Sequence, residues 1–97
     1  MGRVGEEDLV HVQLWIKEGA DVKRMKKGKL KMPREFPIST VMSVARPKMK
    51  IRPEDGIFVF TSDNRLLSPQ SMISSVFEKH SKDGVLHLVC AKEEVFG

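Results

Sequence analysis

The apolar run at residues 85–91, VLHLVCA, decides the fold. A long apolar run of this kind predicts a strand that lies in the middle of a sheet. The Asp-Gly pair at 83–84, just before the run, is a turn signal. We therefore expect the end of the chain to contribute a central strand, with earlier segments as its neighbours.

A helix is predicted immediately before that turn. Met72, Ile73, Val76 and Phe77 recur with the spacing of one apolar helix face. The Ser-Pro pair at 68–69 has the residue types preferred at an N-cap and at the first helical position, so the predicted helix begins there.

Two further elements precede this helix. Residues 57–61, IFVFT, predict a short strand because β-forming residues dominate it, and SDN at 62–64 predicts a turn. An earlier helix is predicted from apolar residues spaced i, i+3, i+4 and i+7, namely Ile38, Val41, Met42 and Ala45. Pro37 suits its first position, and Pro47 should end it or kink its last turn.

The first third of the chain contains two alternating segments. In residues 8–16, DLVHVQLWI, the apolar residues at even positions share one face. In residues 28–33, GKLKMP, leucine and methionine alternate with lysines, and the final proline ends the strand because it has no N–H to donate. Residues 17–27 are predicted to form the loop between the two strands.

The predicted order is strand, strand, helix, strand, helix, strand. This order favours an α+β fold of the ubiquitin-like β-grasp type, a four-stranded mixed sheet with a crossing helix and a second short helix. A chain of 97 residues is long enough for one domain over residues 1–97. We expect flexible ends at residues 1–8 and 95–97.

Composition narrows the function classes. The formal net charge is +4, and basic residues crowd segments 23–31 and 46–52, which favours acidic partners. Cys90 is the single cysteine, and its apolar surroundings predict a buried or half-buried structural thiol in a reducing compartment. No run of 18 apolar residues occurs, the first residues lack the apolar core of a secretory signal, and Glu6 stands where a myristoylation signal needs Ser or Thr.

No catalytic constellation stands out in the sequence. The three histidines, His11, His80 and His87, fall on different predicted elements, and phosphate-binding loops and nucleophile elbows are absent. We therefore expect no enzyme activity, no metal and no cofactor.

The residues alone leave two function classes open. The lysine-rich segment could serve an RNA-binding module, but aromatic residues make up only 6% of the chain, so stacking platforms are scarce and no nucleic acid is expected. Alternatively, a structural subunit could form oligomers through the free edge of the second strand.

The second half of the chain, from PEDGIFVF to the terminal EEVFG, resembles the GABARAP-like, or autophagy-related protein eight, family of ubiquitin-like modifiers. The resemblance rests on the IFVF strand, the Leu-x-Pro before the second helix, the VFEKH stretch followed by Asp-Gly, and the terminal Phe-Gly. Upstream, KGKLKMPREFPIS is similar to the family's lysine-rich second strand. The similarity extends over residues 10–97.

The resemblance implies a conjugation cycle. A cysteine protease exposes the terminal glycine, here Gly97, an E1-like enzyme activates it with ATP, and an E2-like enzyme passes it to phosphatidylethanolamine. The protease and the E1 would recognise Phe96, Phe58 and Phe60. The protein would be cytoplasmic, and on the autophagosome membrane once lipidated.

The resemblance also implies that the edge of the second strand binds receptors carrying an aromatic-x-x-aliphatic motif, which adds a strand to the sheet. The family's aliphatic pocket corresponds to Leu30, Met32, Phe36, Val41 and Val44, with Lys48 at its rim. The family's aromatic pocket corresponds to Val12, Lys29, Lys31 and Val85.

The sequence departs from the family pattern in three places. The segment before the first strand is much shorter than the family's two N-terminal helices. Lys31 replaces an apolar pocket residue, Leu30 replaces a common aromatic residue, and Pro47 interrupts a helix that is usually unbroken. The short N-terminal segment favours an alternative relative, autophagy-related protein twelve, whose terminal glycine is joined to a lysine of a partner protein.

Overall fold

The computed structural model describes residues 8–17 and 26–93. The described residues form a four-stranded sheet and two α-helices. The strands are β1 (Leu9–Lys17), β2 (Lys26–Pro33), β3 (Ile57–Thr61) and β4 (Val85–Lys92), and the helices are α1 (Ile38–Ala45) and α2 (Ile73–His80).

The sheet has the order β2-β1-β4-β3. β1 pairs with β2 in antiparallel and with β4 in parallel orientation, and β3 pairs with β4 in antiparallel orientation. The run VLHLVCA is therefore a central strand, as its continuous apolar character predicts. The mixed sheet with its two helices confirms the predicted α+β class.

The core lies between one face of the sheet and the helices. On β1 the even-numbered residues from Val10 to Ile16 are 1–3% exposed, which confirms the predicted alternation. From α1, Ile38, Val41 and Ala45 are completely buried against them, and Ile73 of α2 is buried as well. The side chains of β4 that face the core, Leu86, Leu88 and Cys90, are also completely buried.

The two helices begin by exchanging backbone hydrogen bonds, not by side-chain capping. At α1, the N–H groups of Ile38 and Ser39 donate to the carbonyl oxygens of Ser71 and Pro69, at 2.8 and 2.9 Å. At α2, the N–H of Ile73 donates to the Phe36 carbonyl oxygen at 2.8 Å. The segment before each helix thus satisfies donors that the other helix would leave unpaired.

This exchange corrects two predictions. The second helix begins at Ile73 rather than at Ser68–Pro69, because the Pro69 carbonyl caps α1 and the Ser68 hydroxyl accepts the Gln70 N–H in a local turn. Pro37 is the N-cap of α1, with extended backbone, rather than its first helical residue.

Proline and glycine mark two other boundaries, the end of α1 and the start of β4. α1 ends at Ala45, and Pro47 lies in a short 3₁₀ helix, Arg46–Lys48, that continues it, as predicted. The turn before β4 uses positive φ angles at Asp83 (52°) and Gly84 (77°), which glycine adopts at little cost.

The predicted loop over residues 17–27 is shorter at both ends than expected. Lys17 belongs to β1, and Lys26 and Lys27 belong to β2; residues 18–25 lie outside the described residues. Of the predicted flexible ends, residues 1–7 and 95–97 are likewise outside them. Asp8 is described, and its carbonyl oxygen accepts the Arg34 N–H at 3.0 Å.

Candidate functional site: the lysine-rich edge of the sheet

β2 forms one edge of the sheet. Within the described part of the chain it pairs with β1 alone, so the backbone groups on its other side are not used in the sheet. An edge strand with such groups can accept an additional strand from a partner.

A cleft of about 570 Å³ lies beside this edge, between β2 and the end of α1. Its apolar part includes Leu14, Ile16, Leu30, Val44, Pro47 and Met49. Its basic part consists of lysines from two segments, namely Lys26, Lys27, Lys29, Lys48 and Lys50. The cleft is in the size range of sites that bind small molecules or single side chains, and its lysines favour an anionic or acid-flanked ligand.

Part of the predicted aliphatic pocket gathers in this cleft. Leu30, Val44 and Lys48 line it together. Met32 is only 5% exposed and Val41 is completely buried, so both belong to the core beneath the surface. Phe36 is 43% exposed in the turn before α1 and does not line the cleft.

Three residues of the predicted aromatic pocket lie on the outer face of the sheet, away from the helices. Lys31 is in register with His11 of β1, which is in register with Val85 of β4, so these three form a row across three strands. Lys29 lies in the next row, opposite Gln13. Val12 points to the opposite face and is 1% exposed, because successive residues of a strand alternate between faces.

The same outer face carries the only tryptophan of the sequence. Trp15 is in register with Lys27, whose Nζ lies 5.6 Å from the indole centroid, within cation–π range. The indole Nε1–H donates to Nδ1 of His87 at 3.4 Å. These contacts place an aromatic ring directly behind the lysines of β2.

The predicted binding residues omit eight residues that line the cleft, namely Leu14, Ile16, Lys26, Lys27, Gly28, Pro47, Met49 and Lys50. For the three that follow α1, the signal in the sequence was Pro47. A proline just after a helix can continue it as a 3₁₀ turn, and this turn, Arg46–Lys48, leads residues 47–50 to the cleft beside β2.

The predicted recognition residues of the conjugation enzymes lie elsewhere. Phe58 and Phe60 are half-buried on β3, at the other edge of the sheet, with ring centroids 6.1 Å apart in an edge-to-face arrangement. Phe58 is in register with Ala91 of β4, close to where the chain leaves the sheet. Phe96 and Gly97 lie outside the described residues.

A second cleft, of about 490 Å³, lies beside β3. It is lined by Met42, Ile57, Phe58, Val59, Leu66, Leu67, Ser68, Pro69 and Glu93. It therefore adjoins both Phe58 and the last described residue of the chain.

The single cysteine of the sequence lies outside these clefts, in the core. Burial raises the pKa of the Cys90 thiol to about 12, so this thiol is protonated and unreactive at neutral pH, as the sequence predicts for a structural cysteine. The three histidines lie on β1, α2 and β4. Across residues 8–17 and 26–93, no three His, Cys, Asp or Glu side chains are grouped so that they could hold a metal ion.

Comparison with known proteins identifies the family. The family model described as "Autophagy protein Atg8 ubiquitin like" matches residues 5–97. The chain belongs to the Atg8 family. Its expected resemblance to this family of ubiquitin-like autophagy proteins is thereby confirmed.

Individual Atg8 relatives agree with this assignment. The chain is 31% identical to Autophagy-related protein 8 of Neosartorya fischeri over 81 residues, which are 82% of this chain and 68% of that protein. The same figures hold for Autophagy-related protein 8 of Aspergillus niger. The fold matches the crystal structure of Trypanosoma brucei ATG8 with a TM-score of 0.75 and 19% identity, over 95% of this chain and 79% of that one. The ubiquitin-like fold is therefore confirmed.

Neither helix among the described residues is long and apolar enough to cross a bilayer.

Proposed function

We propose that this chain is a ubiquitin-like modifier whose Gly97 carboxyl is joined through an amide bond to the amine of phosphatidylethanolamine. E1-like and E2-like enzymes would carry Gly97 as a thioester, and the lipid amine would displace the thiol. A processing cysteine protease would first expose the glycine where further residues follow it. Membership of the Atg8 family is the observation that carries this proposal.

The anchoring of the last strand supports it. β4 is paired with β1 up to Ala91 and with β3 up to Lys92, and the Glu93 N–H donates to the Gly56 carbonyl oxygen at 2.8 Å. The chain is therefore held rigidly until four residues before Gly97. A tail that begins from a fixed point and ends in glycine, which has no Cβ, suits the narrow cleft of an activating enzyme.

The side chains of the protein support the proposal that Gly97 is an acyl donor activated by other enzymes. Cys90, the single thiol, is completely buried on the central strand and cannot form a thioester itself. Phe58 and Phe60, together with Phe96, are proposed to guide the protease and the E1 to the tail, since Phe58 lies beside Ala91 at the base of that tail.

We also propose that the β2 edge binds receptors through an aromatic-x-x-aliphatic motif. The motif would add a strand to β2 and place its aliphatic side chain in the cleft between Leu30 and Val44, with Lys48 at the rim. Unconjugated protein would be cytoplasmic, and the lipidated form would recruit receptors at the autophagosome membrane.

Reconstitution tests the conjugation. Incubation with E1-like and E2-like enzymes of an Atg8 system, ATP and phosphatidylethanolamine liposomes should give a faster-migrating lipidated band. Gly97→Ala should abolish that band. If the wild type gives no band, or Gly97→Ala gives the same one, the proposal fails. An adduct on a lysine of a partner protein, with no lipidated band, would instead establish the alternative of a protein-conjugated modifier.

A peptide titration tests the cleft. Val44→Ala removes two methyl groups from its wall, and at about 0.8 kcal/mol per buried carbon the affinity for an aromatic-x-x-aliphatic peptide should fall about tenfold. Leu66→Ala, at a residue 58% exposed beside the second cleft, is the control and should leave the affinity unchanged. Equal affinities of the two variants would exclude this cleft as the receptor site.

A further inference from the structure

A hydrogen bond joins two aromatic side chains on the outer face of the sheet. Trp15 of β1 and His87 of β4 are both half-buried, and the indole Nε1–H donates to Nδ1 of His87 at 3.4 Å. The two rings are stacked, with an interplanar angle of 30°. Because the indole nitrogen is a donor only, the bond requires a neutral imidazole that holds its proton on Nε2. We call these two residues the Trp15–His87 pair.

Protonation of His87 is incompatible with this hydrogen bond. In an imidazolium both ring nitrogens are donors, so Nδ1 would present a hydrogen atom to the indole N–H. Histidine side chains gain their charge between pH 8 and pH 5. A bond that needs the neutral ring is therefore sensitive to mild acidification.

The strand residues around His87 are neutral or basic. On β1, Gln13 is its partner in register, and His11 lies two residues earlier on the same face. On β2, the residue opposite Gln13 is Lys29. Before β4, Lys82 lines the same cavity as His87. A positive charge on His87 would therefore be added to a basic neighbourhood.

The carboxylates of the adjoining turns are placed elsewhere. Asp63, which follows β3, is hydrogen-bonded to Thr61 and lies 3.6 Å from Nδ1 of His80. Asp83 lies in the turn before β4 and does not line the cavity beside His87. Among the described residues, no carboxylate lines that cavity, so none is placed there to hold an imidazolium where the neutral ring now lies.

A cation–π contact does not replace the lost bond. The ring centroids of Trp15 and His87 are 6.5 Å apart, beyond the range of about 6 Å over which an aromatic face attracts a cation. Nζ of Lys27 already lies 5.6 Å from the indole centroid. A charged His87 would therefore compete with Lys27 for the same ring.

The pair has room to separate. A cavity of about 360 Å³ adjoins it, lined by Trp15, Ser62, Lys82, His87 and Val89. The backbone register holds β1 and β4 together whatever the position of the indole. Because successive side chains of a strand point to opposite faces, the core residues Leu14 and Ile16 need not move when Trp15 does.

We propose that the Trp15–His87 pair is a pH-sensitive switch on the outer face of the sheet. At neutral pH the hydrogen bond ties the indole to β4. On mild acidification Nδ1 of His87 binds a proton from the solvent, the hydrogen bond breaks, and the indole turns into the adjoining cavity while the strands stay paired. The switch rests neither on conjugation of Gly97 nor on receptor binding at β2, and it goes beyond both.

Nuclear magnetic resonance of the full, unconjugated chain tests the switch. The sequence has a single tryptophan, so the indole N–H gives a single signal in a proton–nitrogen correlation spectrum. Between pH 8 and pH 5 this signal should shift along a sigmoidal curve, and acrylamide should quench the fluorescence of Trp15 more strongly at the acidic end. Far-ultraviolet circular dichroism should stay constant, since the strands remain paired.

Matched histidine variants locate the titrating group. His87→Gln keeps a side chain that can accept a hydrogen bond but gains no charge on acidification, so the sigmoidal shift of the indole signal should be lost. His11→Gln is the control. His11 is exposed on the same face of the sheet, and its replacement should leave the shift and its midpoint unchanged.

The tautomer of His87 gives a second test, in the wild type alone. Long-range proton–nitrogen spectra of the imidazole should show the proton on Nε2 at pH 8, and a proton on Nδ1 would refute the inference even if His87→Gln did not fold. The inference also fails if the indole signal does not titrate, if its shift persists in His87→Gln or is lost in His11→Gln, or if circular dichroism shows unfolding at the same pH. Because the unconjugated chain is used, failure of the lipidation assay leaves these outcomes unchanged.

Discussion

Cys90 provides a sensitive test of whether the sheet opens only by unfolding. The residue lies on β4 in register with Ile16 of β1 and Val59 of β3, and its side chain is completely buried. Burial raises the pKa of its thiol from 9.0 to about 12. Alkylating reagents react with the thiolate, so both the raised pKa and the covering side chains should protect it.

The size of the protection follows from the pKa. At pH 8 a thiol of pKa 9.0 is about one-tenth ionised, whereas one of pKa about 12 is ionised to about one part in ten thousand. The folded protein should therefore react at least about a thousandfold more slowly than the chain unfolded in urea. Because β4 is central, reaction through an open form requires strand pairs on both sides to break.

The assay is alkylation with iodoacetamide, followed by mass spectrometry, with and without urea. Cys90→Ala is the control and should gain no adduct under either condition. A folded-state rate within about tenfold of the unfolded rate would refute the reasoning, since it would mean that β4 is exposed without global unfolding.

The same thiol makes stability depend on alkaline pH. Its folded pKa is raised, so the stability it contributes is complete below about pH 9 and is lost as the pH rises toward 12. Urea midpoints of the wild type should therefore fall more steeply over this range than those of Cys90→Ala. Parallel curves would show that the thiol is not buried.

Two further predictions concern turns. Gly84→Ala should lower the free energy of unfolding by about 1–2 kcal/mol, because φ at Gly84 is 77° and an L-residue is strained there although its Cβ would contact no other atom. Gly28→Ala, where φ is not positive, should leave the free energy of unfolding unchanged or raise it slightly. Urea unfolding of the two variants measures the difference. Asp55 accepts hydrogen bonds from the Arg52 backbone N–H and guanidinium, which lower its pKa, so Asp55→Asn should lower the urea midpoint at pH 7. That difference should shrink as the pH falls below about 4, through the lowered pKa, and a constant difference would refute an ionic contribution.

Much of the fold could be predicted from periodicity because the helices bury one face of the sheet, so that buried residues alternate along its strands. The even-numbered residues of β1 and the continuous run of β4 follow directly from which faces are buried. The start of α2 could not be predicted in this way. Ser68 and Pro69 have good capping chemistry, but the Pro69 carbonyl is used by the N–H of Ser39, and that long-range bond decides the boundary.

The candidate site was predictable only in part for a similar reason. Alignment with a family assigns residues to a pocket, but packing decides which of them reach the surface. Leu30 and Val44 do, whereas Val12 and Val41 are covered by the rest of the core. Met49 and Lys50 reach the cleft through the 3₁₀ turn after α1, whereas Gly28 reaches it through its place on the edge strand β2.

The direction of the strands relates the two proposed sites. β1 and β4 are parallel, and Ala91 near the end of β4 is in register with Lys17, while Ile16 is in register with Lys26 at the start of β2. The tail therefore leaves the sheet at the end where β2 begins, two strands or about 10 Å away. Since β2 is eight residues long, its edge from Lys26 to Pro33 runs about 23 Å away from that end of the sheet. The proposed receptor edge and the start of the tail therefore lie on different strands of the sheet, β2 and β4.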